Sequence, residues 1–331
     1  MLGLSIALKI IVGAILLVYL GILLLWSSGA FYFDVGQRGF TGWICLLIWA
    51  AVFGTILIAV KPFWLAVVIV SANVAFLGIW SALLKPSHDR EWDPNFAKLP
   101  EFIVDGDRLT VKNIRNTSYR TLKDYDVRYE TREYRLSDLK AVDALMLFWG
   151  SDSVSHPMVI FDFGNDQHLC ISIEVRYRIN EPYEMLRSLY RQNELLYLVT
   201  DERDAILRRT KYSENHDCYL YRLQNSAEEN HEFLMEYIRE TNSILEKPRW
   251  YNVITANCTT TIYRQRGGKA KWDSRILFNG KFDEMLYERG RLYQGLSFDE
   301  LKAESWINDR ANNADPETFS KEIRNGLPGF E

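Results

Sequence analysis

The chain has 331 residues, of which 48% are hydrophobic and 25% charged, and its formal net charge is −4. Residues 1–85 carry a net charge of +3, whereas residues 86–331 hold 35 basic and 42 acidic residues, a net charge of −7. A nucleic-acid-binding protein would be basic in its polar part, so the composition argues against nucleic acid as a partner.

Three apolar runs open the sequence. Residues 4–26 are apolar except for Lys9, and residues 40–60 and 63–84 contain no charged residue. Each run has about the 20 residues needed to cross a bilayer as a helix. The first run is too long for a cleaved signal peptide and lacks a small-residue cleavage site. We therefore expect a three-span transmembrane region over residues 1–85.

The orientation of these spans follows from few charges. Lys61 lies in the connection between the second and third runs, which contains no acidic residue. Basic residues favour the cytoplasmic side, so the remaining residues, 86–331, are expected on the opposite side of the membrane. Their length suits one globular domain with its own core.

The first half of this domain has strand patterns. "FIVDGDRLTVKNIRN" contains a DG turn between apolar runs, which indicates a hairpin. "YRTLKDYDVRYETREYRL" alternates apolar and charged residues as half-buried strands do. The pattern of "SDLKAVDALMLF" fits either a short helix or a strand. "SHPMVIFDFGNDQHLCISIEVRYRI" predicts a second hairpin, with its turn at Gly164-Asn165-Asp166.

The second half has mostly helical patterns. "EPYEMLRSLYRQNELLYLVTDERDAILRRT" shows helical periodicity with breaks, and "CYLYRL" resembles a strand. "SAEENHEFLMEYIRETNSILEK" predicts an amphipathic helix, and the segments 282–292 and 298–306 also favour helices. The sequence therefore predicts an α+β domain with an antiparallel sheet packed by helices.

Cys258, in the string "YNVITANCTTTIYRQ", is a candidate nucleophile. Asn and Thr are good capping residues, so this string is typical of the start of a helix. The exposed N–H groups of a helix start favour a thiolate, and a neighbouring imidazolium lowers the thiol pKa further. The same groups can bind an oxyanion, which makes Asn257 and Thr259 candidate oxyanion-site residues. The alternative is that Cys258 is a small buried hydrophobe.

His156 is the candidate base, and the turn length decides its neighbour. A three-residue turn places His156 across from Glu174, whereas a two-residue turn places Val175 there. Three-residue turns containing Gly are common, which favours Glu174. A carboxylate beside the imidazole would fix its tautomer and stabilise its charged form. Alternatively, Glu174 pairs with Arg176 or Arg178 at the surface.

A metal site is the competing interpretation of this hairpin. His156, Asp162, His168 and Cys170 fall within fifteen residues. No CxxC or HxxxH spacing is present, and such spacing is the usual sign of a zinc site. We therefore expect neither a metal nor another cofactor.

Six strings carry a resemblance to a known family. They are, in chain order, "EWDPNFAKLPEF", "KNIRNTSYRT", "FWGSDSVSHPMVIFDF", "ISIEVR", "LVTDERDAILRR" and "YNVITANCTTTIYRQ". Over residues 90–270 the chain resembles the periplasmic domain of the Lnb-type bacterial lipoprotein N-acyltransferases. The resemblance implies a permuted papain-like fold related to NlpC/P60 proteins, with Cys258 as nucleophile and His156 as its base. The Lnb-type enzymes carry membrane spans after this domain, whereas here the spans precede it.

Together these patterns predict a membrane-anchored cysteine acyltransferase or acyl hydrolase that works through a thioester acyl-enzyme. On the resemblance, its site would face the periplasm from the bacterial inner membrane, and its partners would be membrane lipids and lipoproteins or other acyl acceptors. A cysteine peptidase or amidase of cell-wall peptides is one alternative. A non-catalytic membrane-tethered module that binds an envelope component is another.

Overall fold

The computed structural model describes residues 6–181, 184–253, 273–276 and 279–330. The chain divides into two compact units, Met1–Pro86 with Tyr183–Asn193, and Ser87–Pro182 with Glu194–Glu331. Residues 183–193 thus belong with the N-terminal helices although they lie in the middle of the sequence.

Three long helices build the first unit. They are α1 (Ile6–Ala30), α2 (Gly39–Ala59) and α3 (Phe63–Leu83), and α1 continues as a π-helical turn over Phe31–Val35. Leu17, Leu25 and Ile58 are each at least 74% exposed. The helices of a water-soluble protein would bury such large apolar side chains. The helices are long and apolar enough to cross a membrane, over Leu8–Val35, Gly39–Ala59 and Phe63–Leu83. The prediction of three N-terminal apolar helices is confirmed.

A short segment from the middle of the chain packs on the end of the first helix. The ring of Tyr190 stacks on that of Phe33, with centroids 5.1 Å apart. Nε2 of Gln192 donates a hydrogen bond to Oδ1 of Asp34 at 2.8 Å. The hydroxyl of Ser81 donates to Oδ2 of the same carboxylate at 3.1 Å. Both oxygens of Asp34, the one acidic residue in positions 1–85, are therefore bonded within this unit.

The second unit is organised around a large β-sheet. Its strands are Glu101–Asp105 (β1), Arg108–Arg115 (β2), Ser118–Tyr119 (β3), Tyr125–Asp126 (β4), Tyr129–Arg135 (β5), Ala141–Trp149 (β6), Ser155–Asp162 (β7), His168–Arg176 (β8), Glu194–Thr200 (β9) and His216–Arg222 (β10). The order is β1-β2-β9-β8-β7-β6-β10, with β5 paired to β2, while β3 and β4 form a separate pair. Adjacent strands are antiparallel except β2 and β9, which are parallel at Arg115 and Thr200. The predicted antiparallel sheet is thus wrong at this one pairing.

Helices cover both faces of this sheet. They are Glu202–Thr210 (α4), Ala227–Glu246 (α5), Phe282–Glu288 (α6), Phe298–Glu304 (α7), Asn308–Asn313 (α8) and Phe319–Arg324 (α9). Alternate residues of a strand face opposite sides. One face buries Phe161 against Phe233 and Tyr237 of α5, and the other buries Ile160 in a cluster with Ile206 of α4. The α+β class is confirmed.

The amphipathic helix α5 forms as its sequence predicts. Ser226 and Glu229 make a capping box, in which each side chain bonds the backbone of the other residue. Such a box satisfies two N–H groups at the start of a helix. The apolar residues of α5 recur at helical spacing and are buried against the sheet.

The helical periodicity predicted over residues 181–210 is wrong for residues 194–200, which form β9. All seven residues of β9 are buried. A strand that is buried on both faces has a continuous apolar run, and such a run has no period of two to distinguish it from a helix. Residues 137–148, for which the sequence left helix and strand open, form the end of a 3₁₀ turn (Leu136–Asp138) and most of β6.

A buried ion pair fixes α4 on the sheet. Arg115 of β2 and Asp204 of α4 have fully buried side chains. Nε and Nη2 of Arg115 donate to the two oxygens of Asp204 at 2.9 and 2.8 Å, and the backbone N–H of Thr117 donates to Oδ2 at 2.8 Å. Burial opposes the charge of the Arg115 guanidinium, but the Asp204 carboxylate outweighs it and raises the pKa of Arg115.

Breaking this pair is expected to destabilise the second unit. Arg115→Met leaves Asp204 as a buried charge without its main partner, which costs about 3–5 kcal/mol of unfolding free energy. The double variant Arg115→Met/Asp204→Leu removes both charges and should be more stable than Arg115→Met alone. Urea unfolding of the purified chain in detergent measures this, with the exposed Arg128→Gln as control. Equal stability of Arg115→Met and Arg128→Gln would contradict the assignment.

Candidate active site

His156 is the second residue of β7 and lies where the pairing of that strand changes. It faces Leu147 across the β6–β7 pair. The pairing of β7 with β8 begins only at Met158, next to Pro157, which has no N–H to donate to a sheet. At His156, β7 is therefore paired with β6 but not yet with β8.

The hairpin register follows the three-residue turn. The backbone N–H of Phe163 donates to the carbonyl of Gln167 at 2.9 Å, and Met158 lies opposite Ser172. This is the register that places His156 and Glu174 on the same face, and it rules out Val175 as the neighbour.

Nε2 of His156 contacts two side chains of β8. It lies 2.7 Å from Oγ of Ser172 and 3.1 Å from Oε1 of Glu174. The His156 residue is 7% exposed, so these contacts are largely shielded from water. Such a shielded pair orients the imidazole far more strongly than a surface contact does.

Glu174 is held by three donors. Besides the contact with His156, its Oε1 accepts hydrogen bonds from Oγ of Ser172 at 2.6 Å and from Nη2 of Arg209 at 3.1 Å. Burial opposes ionisation of Glu174, but the positive charge and hydrogen bond of His156, the charge of Arg209 and the hydrogen bond from Ser172 outweigh it. The pKa of the Glu174 carboxyl is therefore far below its ordinary value, and the carboxyl is an anion at neutral pH.

These contacts define the tautomer of His156. Because the Ser172 hydroxyl donates to Glu174, its oxygen can accept from the imidazole, as Glu174 also does. Nε2 is then the protonated nitrogen of the neutral ring, and Nδ1 carries the lone pair. The arrangement gives an imidazole that can accept a proton at Nδ1 and whose charged form is stabilised by Glu174.

Aromatic and basic side chains surround this group. The Trp149 ring lies 6.1 Å from the His156 ring, tilted by 31°, and Trp149 is 41% exposed. His216, opposite Trp149 on β10, packs edge-on against the same indole. Burial lowers the pKa of His216, and the charges of Arg209 and Arg208 lower it further. The candidate site therefore has an indole wall and a positive electrostatic side.

The start of β7 is anchored from a distant part of the chain. The backbone N–H of Ser155 donates to Oδ1 of Asn279 at 3.0 Å, and its hydroxyl donates to the Asn279 carbonyl at 2.5 Å. A Cβ added at Gly280 would overlap the backbone of Asp152 and Ser153. Gly280 is therefore required for the close approach that holds the residue before His156.

Three predicted site residues lie outside the described residues. They are Cys258, Asn257 and Thr259. Their assignment as nucleophile and oxyanion-site residues, and the predicted contact between Cys258 and His156, stay predictions.

The two cysteines described in the second unit are unsuited to thiolate chemistry. Cys170 and Cys218 are fully buried free thiols. Burial raises the pKa of each thiol to about 12. Neither ionises at neutral pH, so neither competes with Cys258 as a candidate nucleophile.

The competing metal interpretation finds no support in the described residues. His168 lies opposite Asp162 at the turn end of the hairpin. Asp162 is six residues along β7 from His156, a separation of roughly 20 Å. Nε2 of His168 is 3.5 Å from Oδ1 of Asp162. Within the described part of the chain, no group of three or more His, Cys, Asp or Glu residues is arranged to hold a metal ion.

Ser172 and Arg209 were not predicted as members of the site. Ser172 was detectable, because it lies two residues before Glu174 in a strand and therefore shares its face. Arg209 was not, because its approach to Glu174 depends on how α4 packs on the sheet.

Comparison with known proteins and the three apolar helices together fit one class of protein, a membrane protein with a periplasmic domain. Residues 125–265 match the family model described as the Lnb N-terminal periplasmic domain. The match begins at β4, after the three apolar helices, and covers His156, Glu174 and Cys258. Comparison with curated proteins and comparison with solved structures gave no match.

Ionised Glu174 is expected to make the protein acid-sensitive. Its folded-state pKa lies below the unfolded value of about 4.3, so its contribution to stability is present above that pH and is lost as the pH falls below it. Glu174→Gln should therefore have a lower melting temperature than wild type at pH 7. On acidification to pH 3, its melting temperature should fall less than that of wild type. Melting temperatures of the purified chain test this, with the exposed Glu232→Gln as control. The same fall with pH in wild type and Glu174→Gln would refute the assignment.

Proposed function

We propose that this protein is a cysteine acyltransferase of the bacterial inner membrane, anchored by three spans, that acts on lipid or lipoprotein substrates in the periplasm. Cys258 is the nucleophile, His156 the base, and Glu174 the residue that orients His156. The observation that carries the proposal is the contact of Nε2 of His156 with an ionised, nearly buried carboxylate.

That contact supports a base rather than a structural histidine. A histidine that only fills space needs no ionised partner, whereas a base needs one tautomer and a stabilised charged form. Because Glu174 and Ser172 occupy the Nε2 side, Nδ1 is the atom assigned to the proton of Cys258.

The proposed reaction has two stages. In the first, the thiolate of Cys258 attacks the carbonyl carbon of an ester, and the carbon–oxygen bond to the leaving alcohol breaks as His156 returns the proton to that oxygen. In the second, an amine attacks the thioester carbon, His156 accepts a proton from the amine, and the sulfur leaves. The products are an amide and the free enzyme. Backbone N–H groups near Asn257 and Thr259 would stabilise the oxyanion in each stage.

The candidate membrane helices support a lipid-linked substrate. They tether the second unit to a bilayer, which raises the local concentration of acyl chains as a linker does for two binding sites. The net charge of −7 on residues 86–331 is opposite in sign to the charge of a domain that binds an anionic membrane surface through basic residues. The tether, not surface charge, would therefore supply membrane proximity. N-acylation of a lipoprotein amine is the reaction that the match to the Lnb domain model favours.

Loss of the thiol is expected to abolish acyl transfer. Cys258→Ser should lower the rate by on the order of a thousand-fold or more, as loss of a nucleophile does in other enzymes of this kind, while Cys45→Ser should have no effect. The readout is mass spectrometry of envelope lipoproteins from cells that carry each variant or lack the protein.

The outcomes separate the candidate functions. Lipoproteins that lose an acyl chain only in Cys258→Ser cells support the proposal. Altered cell-wall peptides with unaltered lipoproteins would point instead to a peptidase or amidase. An unchanged envelope, together with no labelling of Cys258 by an acyl-type electrophile, would leave a membrane-tethered binding module.

A further inference from the structure

The last turn of α4 carries two adjacent arginines with different surroundings. Arg209 pairs with Glu174 at 3.1 Å. The side chain of its neighbour, Arg208, makes neither a hydrogen bond nor an ion pair with any residue that the structure describes. Arg208 is only partly exposed, so water does not fully replace the missing partner.

Packing places the Arg208 guanidinium beside the candidate active site. Its Cζ lies 5.5 Å from the centroid of the Phe96 ring. Phe96 packs on Leu196 and Leu198 of β9. These two leucines lie opposite Glu174 and Ser172 in the β8–β9 register. The guanidinium therefore lies over the sheet face that holds the partners of His156.

The nearby charges leave one positive charge uncompensated. Arg115 is matched by Asp204 and Arg209 by Glu174, and Arg208 has no such match among the described residues. Burial lowers the pKa of Arg208, and the charge of Arg115 lowers it further. A partly buried cation among other cations is unfavourable unless an anion joins it.

We propose that Arg208 is a substrate-binding residue that pairs with an anionic group, a phosphate or carboxylate, on the acyl donor or acceptor. This inference rests on the proposed function, because it assigns the anion to the substrate of Cys258. The guanidinium presents parallel N–H donors that match two oxygens of such a group. The ring of Phe96 supports one face of the guanidinium.

The test compares two alkylating reagents that differ in charge. Iodoacetate is an anion and iodoacetamide is neutral, and both alkylate the same sulfur. The ratio of their rates at Cys258 therefore reports local positive charge and is independent of the fraction of thiolate. Rates are measured on the full chain in detergent, by mass spectrometry of the peptide that contains Cys258.

The ratio of the iodoacetate rate to the iodoacetamide rate is expected to fall about 3- to 10-fold in Arg208→Gln, the effect of one charge at a partly screened distance. Arg208→Lys retains the charge, so its ratio of the two rates should stay close to that of wild type. Arg203→Gln, on the same helix but in its first turn, should match wild type. An unchanged ratio in Arg208→Gln overturns the inference.

Competing anions then identify the ligand. Protection of Cys258 from iodoacetate by glycerol 3-phosphate, lost in Arg208→Gln, indicates a phosphate-bearing substrate, and the same result with N-acetylglycine indicates a carboxylate. Protection by neither overturns the assignment to a substrate group.

Failure of the proposed function gives a different result. If Cys258 reacts with iodoacetamide no faster than an ordinary thiol, and His156→Ala leaves that rate unchanged, the proposed function fails while the ratio still tests the anion site. If Cys258 reacts with neither reagent, the proposed function also fails. The anion site is then tested by melting temperature. Phosphate is expected to raise the melting temperature of wild type but not that of Arg208→Gln.

Discussion

The hydrogen-bonded group of His156, Ser172 and Glu174 depends on the register of one hairpin. In the observed register, Ser172 and Glu174 project from β8 on the same face as His156 on β7. A shift of one residue would turn both partners to the opposite face, where α5 and its apolar side chains cover the sheet. The turn at Gly164–Asp166, at the far end of the hairpin, therefore determines the chemistry available at His156.

Charge then links this group to the rest of the second unit. Glu174 stays ionised because His156 and Arg209 of α4 lie against it. The helix α4 is fixed on the sheet by the fully buried pair of Arg115 and Asp204. Partly buried carboxylates are costly unless they are paired. The site therefore requires the sheet and α4 to be assembled, which explains why its electrostatics depend on residues far apart in the sequence.

Much of this architecture is visible in local patterns. The apolar helices follow from composition, α5 from its helical period and capping box, and the β7–β8 hairpin with its Glu174 contact from the Gly-containing turn. β9 was missed because both of its faces are buried, so it shows no alternation. Arg209 was missed because 35 residues separate it from Glu174, and no local rule fixes such a contact. The packing of Tyr190 on Phe33 is long-range in the same way.

The central claim is that His156, oriented by ionised Glu174, accepts the proton of Cys258. The most direct measurement is the apparent pKa of the Cys258 thiol, read from the pH dependence of its alkylation by iodoacetamide. The account predicts a wild-type value well below the ordinary value of about 8.5, and a rise toward that value in His156→Ala. A wild-type thiol that titrates at or above 8.5 and does not respond to His156→Ala would contradict it.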